Sequence, residues 1–432
     1  MSQTSFFPSE MQTKLHRAVL VGILVLYIIA ALLHAFMVPT GQTGYQDAPD
    51  EAAHMSYIKT LSNGHLPTYR DMLKDHTGKS YEWHQPPLYY LICLPFVSLG
   101  THGVRCISII MGECTLILLY MVMRVMFPDQ GNIALLTTAF AALLPGNIAI
   151  TSAVNNDVLI ELLFTAAIFV LALRLKSGPT TSNSVITGIV LGLALLTKVN
   201  AIILIPVIAV WYYRSRDLQK PLTSCIKQIG LLFIAALVVC GWWYERNLML
   251  YHQFYPTSKF SKEFHSTALA SSFISKIGVV GYWQLVTKMS FQSFWATYGS
   301  PEYAKLGIPR YLQPQIYEIA LIICVVSIIG MTKLHIQRTK LFSPSEQSFF
   351  QMLITIIVLV LLSFIVFLNT YFQTQGRYLY PALAPIAIYI SFGWVSVFPM
   401  RYRALASLFL VLFMIMFLVI FLTAVHTQSI AS

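Results

Sequence analysis

Apolar runs of membrane-spanning length recur along this sequence, and they constrain its fold more than any other feature. A helix crossing a bilayer needs about 20 apolar residues, because hydrocarbon offers no water to satisfy backbone groups. Such runs lie at 18–38, 104–123, 131–151, 157–174, 184–199, 200–213, 226–244, 315–332, 350–370, 379–398 and 404–425. The stretch 184–213 reads as two short spans broken at Lys198-Val199-Asn200. The expectation is an all-α polytopic membrane protein with about 11 transmembrane helices in one transmembrane domain, 1–432. Composition agrees, since charged residues make up 10% of the chain and hydrophobic ones 56%. Soluble chains average about 25% charged.

Short basic loops at 174–183, 214–227, 333–340 and 401–403 mark the cytoplasmic side. Working back from them places Arg124 inside, and the N-terminus with Lys14 and Arg17 as well. This holds only if a twelfth apolar stretch, 86–99, does not cross. That stretch is short, carries Pro86, Pro87 and Pro95, and fits an interfacial or re-entrant helix. Two long outer loops result, 39–103 and 245–314. The first run has basic residues before it but no small-residue cleavage site, so it reads as a retained anchor. The net charge of +11 suits cytoplasmic loops facing anionic lipid. No Lys/Arg block or aromatic motif points to nucleic acid. The six cysteines show no CxxC or CxxxC pairing, which argues against a disulfide framework or a zinc site.

Four constellations fall on the outer side. "YQDAPDEAAHMSYIKTL" (45–61) concentrates Asp47, Asp50 and Glu51 around Pro49. A helix start explains these acids: Asp47 as N-cap, Pro49 in the first turn, acids near the positive dipole end. Yet Asp50, His54, Tyr57, Ile58 and Leu61 share one helical face whose later residues are apolar, so Asp50 and His54 turn inward with it. "YEWHQPPLYYLI" (81–92) sets His84 and Gln85 at headgroup depth beside Trp83, Tyr89 and Tyr90, which an aromatic anchor also explains. "SAVNNDVLIELL" (152–163) puts Asn155, Asn156 and Asp157 in a tight outer turn, where helix capping by Asn156 or Asp157 is the plain alternative. Glu161 lies one turn deeper, and an acid inside a span is a functional candidate. Single cations, Lys198, Arg246 and Arg377, stand at outer span ends, where snorkelling competes with phosphate binding as their explanation. An acid that accepts a proton beside cations that neutralise a leaving phosphate fits sugar transfer from a polyprenyl-phosphate lipid.

These segments resemble the polytopic glycosyltransferases of the GT-C class, in particular aminoarabinose transferases and protein O-mannosyltransferases. "PDEAAHMSYI", "HQPPLYYLI", "NNDVLIELL", "LLTKVNAIILIP" and "QGRYLYPALAPIAI" follow their motifs in order over about residues 18–400. The resemblance implies a GT-C-like fold with interfacial helices in the first outer loop. It makes Asp50 the catalytic base with Glu51 supporting it. Asp157 becomes a second acid near the acceptor or a metal, and Lys198 and Arg377 approach the lipid phosphate. The substrate-binding set on this reading is His54, His84, Gln85, Tyr89, Asp157, Lys198, Arg246, Arg377 and Tyr378. A divalent metal ion, if held, would fall to Asp50 and Asp157; no cofactor is certain. The partners implied are a polyprenyl-phosphate sugar donor, a glycan, lipid or protein acceptor, and membrane lipids. The place implied is the inner (plasma) membrane, with the site on its outer face. Two departures stand out: Gln85 occupies the position before Pro86-Pro87 where many members carry a basic residue, and no large C-terminal soluble domain follows the last run.

The alternative is a transporter or lipid flippase. That class places ionisable residues near the bilayer midplane. Glu113, midway along the second run, is the one acid so placed, and a hydrogen-bonded core acid is its plainer reading.

Overall fold

The computed structural model of the chain describes residues 9–40, 48–260, 268–299 and 310–431. Asp47, expected as an N-cap, lies outside them. The described residues are mostly helical, and the β-structure among them is two isolated bridges, Leu269 to Tyr371 and Tyr298 to Arg310. The helices named below are α1 (Ser9–Met37), α2 (Glu51–Ser62), α3 (Tyr69–Lys74), α4 (Leu88–Cys93), α5 (Gly100–Met126), α6 (Gly131–Ala142), α7 (Pro145–Thr151) and α8 (Asp157–Ser177). They continue with α9 (Thr181–Leu195), α10 (Leu204–Arg214), α11 (Leu222–Tyr251), α12 (Thr257–Phe260) and α13 (Ala270–Trp295).

Every apolar run forms helix, but the expected count of about 11 spans is not reached by length. Among the described residues, eight helices are long and apolar enough to cross a membrane. A ninth arises if α6 and α7, bent by 64°, count as one. The bend has a local cause. Pro145 opens α7 and pushes Leu144 into extended backbone (φ −70°, ψ 112°). The runs 184–199 and 200–213 become Thr181–Leu195 and Val199–Arg214, too short to pass that test. They meet at Lys198, whose backbone is extended (φ −157°, ψ 146°). The protein is a multi-pass membrane protein in which the two most enclosed spans are Gly376–Val397 and Asp157–Ser177, 83% and 72% buried. Their first turns carry Arg377 and Asp157.

Two loop features position the site. The 86–99 stretch forms α4 and a 3₁₀ turn, Leu94–Leu99, leading into α5 through Gly100 at φ 72°. Leu88 to Met126 is a helical stretch of 39 residues. The stretch is not one straight helix: a 3₁₀ segment and the backbone break at Gly100 separate α4 from α5, whose 27 residues are by themselves long enough to span. The 245–314 loop contains a 26-residue helix, α13, kinked at Gly278. Sequence reading left this segment without an element. Its end, Phe294 and Trp295, is buried under the segment that carries Arg377.

Candidate active site

The site begins with a conformation that the sequence did not announce. α2 starts at Glu51, so Pro49 precedes the helix instead of entering its first turn. Asp50 stands at the N-cap position in left-handed backbone (φ 62°, ψ 4°), and its side chain caps nothing. A non-glycine residue there costs on the order of 1–3 kcal/mol and persists only where its surroundings hold it. The Asp50 carbonyl accepts the amides of Ala53 (2.9 Å) and His54 (3.0 Å). Its carboxylate is left to face tertiary partners: the Tyr81 hydroxyl donates to Oδ1 at 3.0 Å, and Arg377 Nη2 donates to Oδ2.

The second acid is freed in a comparable way. Asn155 Oδ1 accepts the Asp157 amide at 2.8 Å at the start of α8, so Asn155 does the capping expected of Asn156 or Asp157. The Asp157 carboxylate therefore meets Lys198 Nζ and lies 3.6 Å from Arg377 Nη1. Arg377 follows Gly376, and a Cβ on Gly376 would sit 2.2 Å from the Phe294 amide nitrogen, so only glycine admits this approach. Ser293 Oγ accepts the Gly376 amide at 2.7 Å and donates to the Thr374 carbonyl at 2.8 Å, fixing the segment against α13. Lys198 is tied to α4 through the adjoining turn: the Leu88 amide donates to the Leu196 carbonyl at 3.0 Å.

Four elements distant in sequence thus contribute one chain of alternating charge: Asp50, Arg377, Asp157, Lys198. Side-chain exposure is 27% for Asp50, 14% for Lys198, 8% for Arg377 and 4% for Asp157. Asp50 is the most open member, Lys198 and Arg377 are less exposed, and Asp157 is the most enclosed. Burial pushes the Asp50 carboxyl up, but the charge of Arg377 and then His54 outweighs it and holds the group below the ordinary carboxylate range. His54 is pushed down by burial, against the pull of Glu82 and Asp50, and its Nδ1 pairs with the Tyr90 hydroxyl at 2.9 Å. Glu82 is pushed up, first by burial and also by Asp50. Tyr81 and Glu82 belong to a 3₁₀ turn, Tyr81–His84, against α2. Neither stood among the expected site residues. The one sequence signal was their place at the head of "YEWHQPP", where the aromatic-anchor reading absorbed them.

The remaining expected residues have other surroundings. Both Glu51 oxygens are held by buried Arg105, and Oε1 also accepts the Val154 amide. Burial pushes His84 down to about 4, so it is neutral at physiological pH and does not replace the missing basic residue; its Nδ1 pairs with the Tyr81 carbonyl at 2.7 Å. Gln85 accepts the Tyr255 hydroxyl at 3.1 Å, joining the segments 39–103 and 245–314. The Tyr89 hydroxyl accepts the Asn155 amide at 3.0 Å and pairs with Ser108 at 2.8 Å. Arg246 donates to the Leu66 and Pro67 carbonyls and stacks on Trp243. Tyr378 lies under the Arg377 guanidinium, 5.4 Å from ring centroid to Cζ. Glu113 and Glu161 each leave one buried carboxyl oxygen without a hydrogen-bond partner among the described residues.

A metal fits this arrangement poorly. No group of three or more His, Cys, Asp or Glu able to hold an ion occurs among the described residues. Arg377 already bridges Asp50 and Asp157, and a divalent ion between them would have to displace its guanidinium.

Solved structures share this architecture. ArnT from Cupriavidus metallidurans, bound to undecaprenyl phosphate, superposes with a TM-score of 0.51 at 14% identity, covering 92% of this chain and 62% of its own. The oligosaccharyltransferase AglB of Archaeoglobus fulgidus, in complex with an inhibitory peptide and a dolichol-phosphate, gives 0.51 at 13% identity, covering 98% and 56%. The fold is the GT-C glycosyltransferase fold. The chain spans about six-tenths of the length of these GT-C structures. A family model described as dolichyl-phosphate-mannose-protein mannosyltransferase matches residues 84–244, the part that carries His84 to Lys198. No curated protein matches the sequence significantly.

Proposed function

We propose that this chain is an integral-membrane glycosyltransferase that moves a sugar from a polyprenyl-phosphate donor to a lipid, glycan or protein acceptor. The site would face the outer side of the inner (plasma) membrane, with the N-terminus in the cytoplasm. The observation that carries the reading is the buried run of alternating charge, whose most open member is an ionised carboxylate.

Asp50 then acts as general base. It takes the proton from an acceptor hydroxyl or amine as that atom bonds to the anomeric carbon of the sugar. The bond from that carbon to the phosphate oxygen breaks, and its electron pair stays with the phosphate. Arg377 and Lys198 hold the added negative charge, and the guanidinium does so through a paired geometry that an ammonium lacks. Asp157 keeps both cations aligned before the donor arrives. Tyr81 orients the base, and His54, paired with the Tyr90 hydroxyl, lies one turn further along α2. General-base assistance of this type contributes about 10²–10⁴-fold.

The experiment supplies the purified protein in lipid nanodiscs with a panel of radiolabelled polyprenyl-phosphate hexoses and pentoses and with cell-envelope extract as acceptor. Label leaving the polyprenyl lipid for a new product is the expected result. Failure with every donor, together with protein-dependent movement of lipid between leaflets, would favour the flippase reading.

A further inference from the structure

Arg105 lies at the outer end of α5 with 0% of its surface exposed, and its partner Glu51 has 2%. Its five N–H donors all find acceptors. Nε donates to Glu51 Oε1 at 2.8 Å and Nη2 to Oε2 at 2.6 Å. Nη1 donates to the carbonyls of Val38 (2.7 Å) and Ala35, and Nη2 also to Pro39 at 3.3 Å. Those carbonyls close the C-terminal end of α1, where the last helical C=O groups lack partners. Glu51 Oε1 accepts one more bond, from the Val154 amide at 3.0 Å. One guanidinium therefore ties α1, α2 and α5 together, and through Glu51 it holds the turn before α8.

Both acids of the site hang from this knot. Asp50 is the residue before Glu51, and Asp157 is three residues after Val154. A second tie runs parallel: Ser108, next to Arg105 on the same face of α5, holds Tyr89, which holds the Asn155 amide. Asn155 Nδ2 reaches back to the Pro49 carbonyl at 3.4 Å. We propose that Arg105 and Glu51 are a positioning pair that fixes Asp50 in its left-handed conformation and sets its placement relative to Asp157. The proposal rests on the transferase reading for its kinetic consequence, although the coupling it describes is a property of the fold. Glu51 on this account touches no reacting atom and acts through Asp50. Buried ion pairs add little net stability compared with apolar replacements, so geometric definition is the role left for this one. A lysine at 105 keeps the charge but lacks the fork that serves five acceptors.

The test compares Arg105→Lys, Glu51→Gln and the double variant Glu51→Leu/Arg105→Met, which removes both charges of the pair together. Three quantities are read: melting temperature in detergent, hydrogen exchange at residues 48–62 and 152–158, and kcat and KM with whichever donor the wild type uses. Arg105→Lys is expected to lower kcat about 10–100-fold with KM for the donor changed less than about threefold, the range a misplacement near 1 Å produces. Exchange should rise in both segments together. The double variant has no stranded charge but leaves the Ala35, Val38 and Pro39 carbonyls and the Val154 amide without these partners, so it should regain part of the melting temperature lost by the single variants without regaining kcat. Recovery of kcat along with the melting temperature would make the pair merely structural and overturn the proposal. So would exchange that rises in one segment alone. If the wild type transfers no sugar, the transferase reading fails, while the exchange data still decide whether the pair couples the two acids.

Discussion

Replacing Asp157 with Asn should tighten the hold on the lipid phosphate, although it removes a residue of the site. At rest Lys198 and Arg377 are partly neutralised by Asp157, with Arg377 Nη1 at 3.6 Å. Two unit charges at that distance attract by about 4–5 kcal/mol at an effective dielectric constant of 20. An arriving phosphate must share the two cations with this carboxylate. Asparagine keeps the shape, still accepts a bond from Lys198, and gives up the competing charge. Sharing and rearrangement consume most of the difference, so the expected net gain is on the order of 1.4 kcal/mol, about tenfold in Kd. The assay is binding of undecaprenyl phosphate to wild type and Asp157→Asn in nanodiscs. The same variant should lose transfer, because cations no longer held by Asp157 settle more closely on Asp50. Unchanged or weaker binding would refute the idea that Asp157 competes with the donor for Lys198 and Arg377.

Three further outcomes follow from the same geometry. Because Arg377 holds the Asp50 carboxyl low, kcat/KM should stay flat as pH falls through the ordinary aspartate range and drop only below it; Tyr81→Phe removes a hydrogen bond that favours the ionised form, so the acid limb should move upward, and an unmoved limb in the pH–rate profile would separate Asp50 from the titrating group. Gly376→Ala should cut kcat about 100-fold, since the added Cβ meets the Phe294 backbone at 2.2 Å and the Arg377 segment must shift; wild-type kcat would show that this approach is not needed. A cysteine replacing His65, whose side chain is 54% exposed, should react with a membrane-impermeant maleimide in intact cells, and labelling only after permeabilisation would reverse the proposed orientation.

The residues that sequence reading reached were those where charge is unexpected. Asp157, Lys198 and Arg377 each stand at or beside the end of an apolar run and Asp50 in the segment after the first, and the structure brings these four together. The inward face of α2 was equally legible, for His54, Tyr57, Ile58 and Leu61 are all buried there. What escaped notice was set by tertiary partners. Pro49 is compatible with a helix's first turn, so nothing local betrayed that Asp50 stands before the helix at positive φ. Arg105 stands at the mouth of an apolar run with no motif around it, and its five acceptors come from segments distant in sequence. Glu51 was grouped with Asp50 because they are neighbours in sequence, yet a helix start separates their directions. Tyr81 was hidden among belt aromatics, and α13 alternates apolar and polar residues too evenly to declare itself a helix or a span. The span count fell short of eleven for a related reason: hydropathy registers the break at Lys198 but not how little helix is left on either side.

The central claim is that Asp50 is the base of a sugar transfer at the membrane surface. Its most direct measurement is the single-turnover rate of label transfer from a radiolabelled polyprenyl-phosphate sugar by wild type, Asp50→Asn and Asp50→Ala, with undecaprenyl phosphate binding measured in parallel. Both variants should retain binding and lose at least about 100-fold in rate. Transfer at the wild-type rate by either variant would contradict the account.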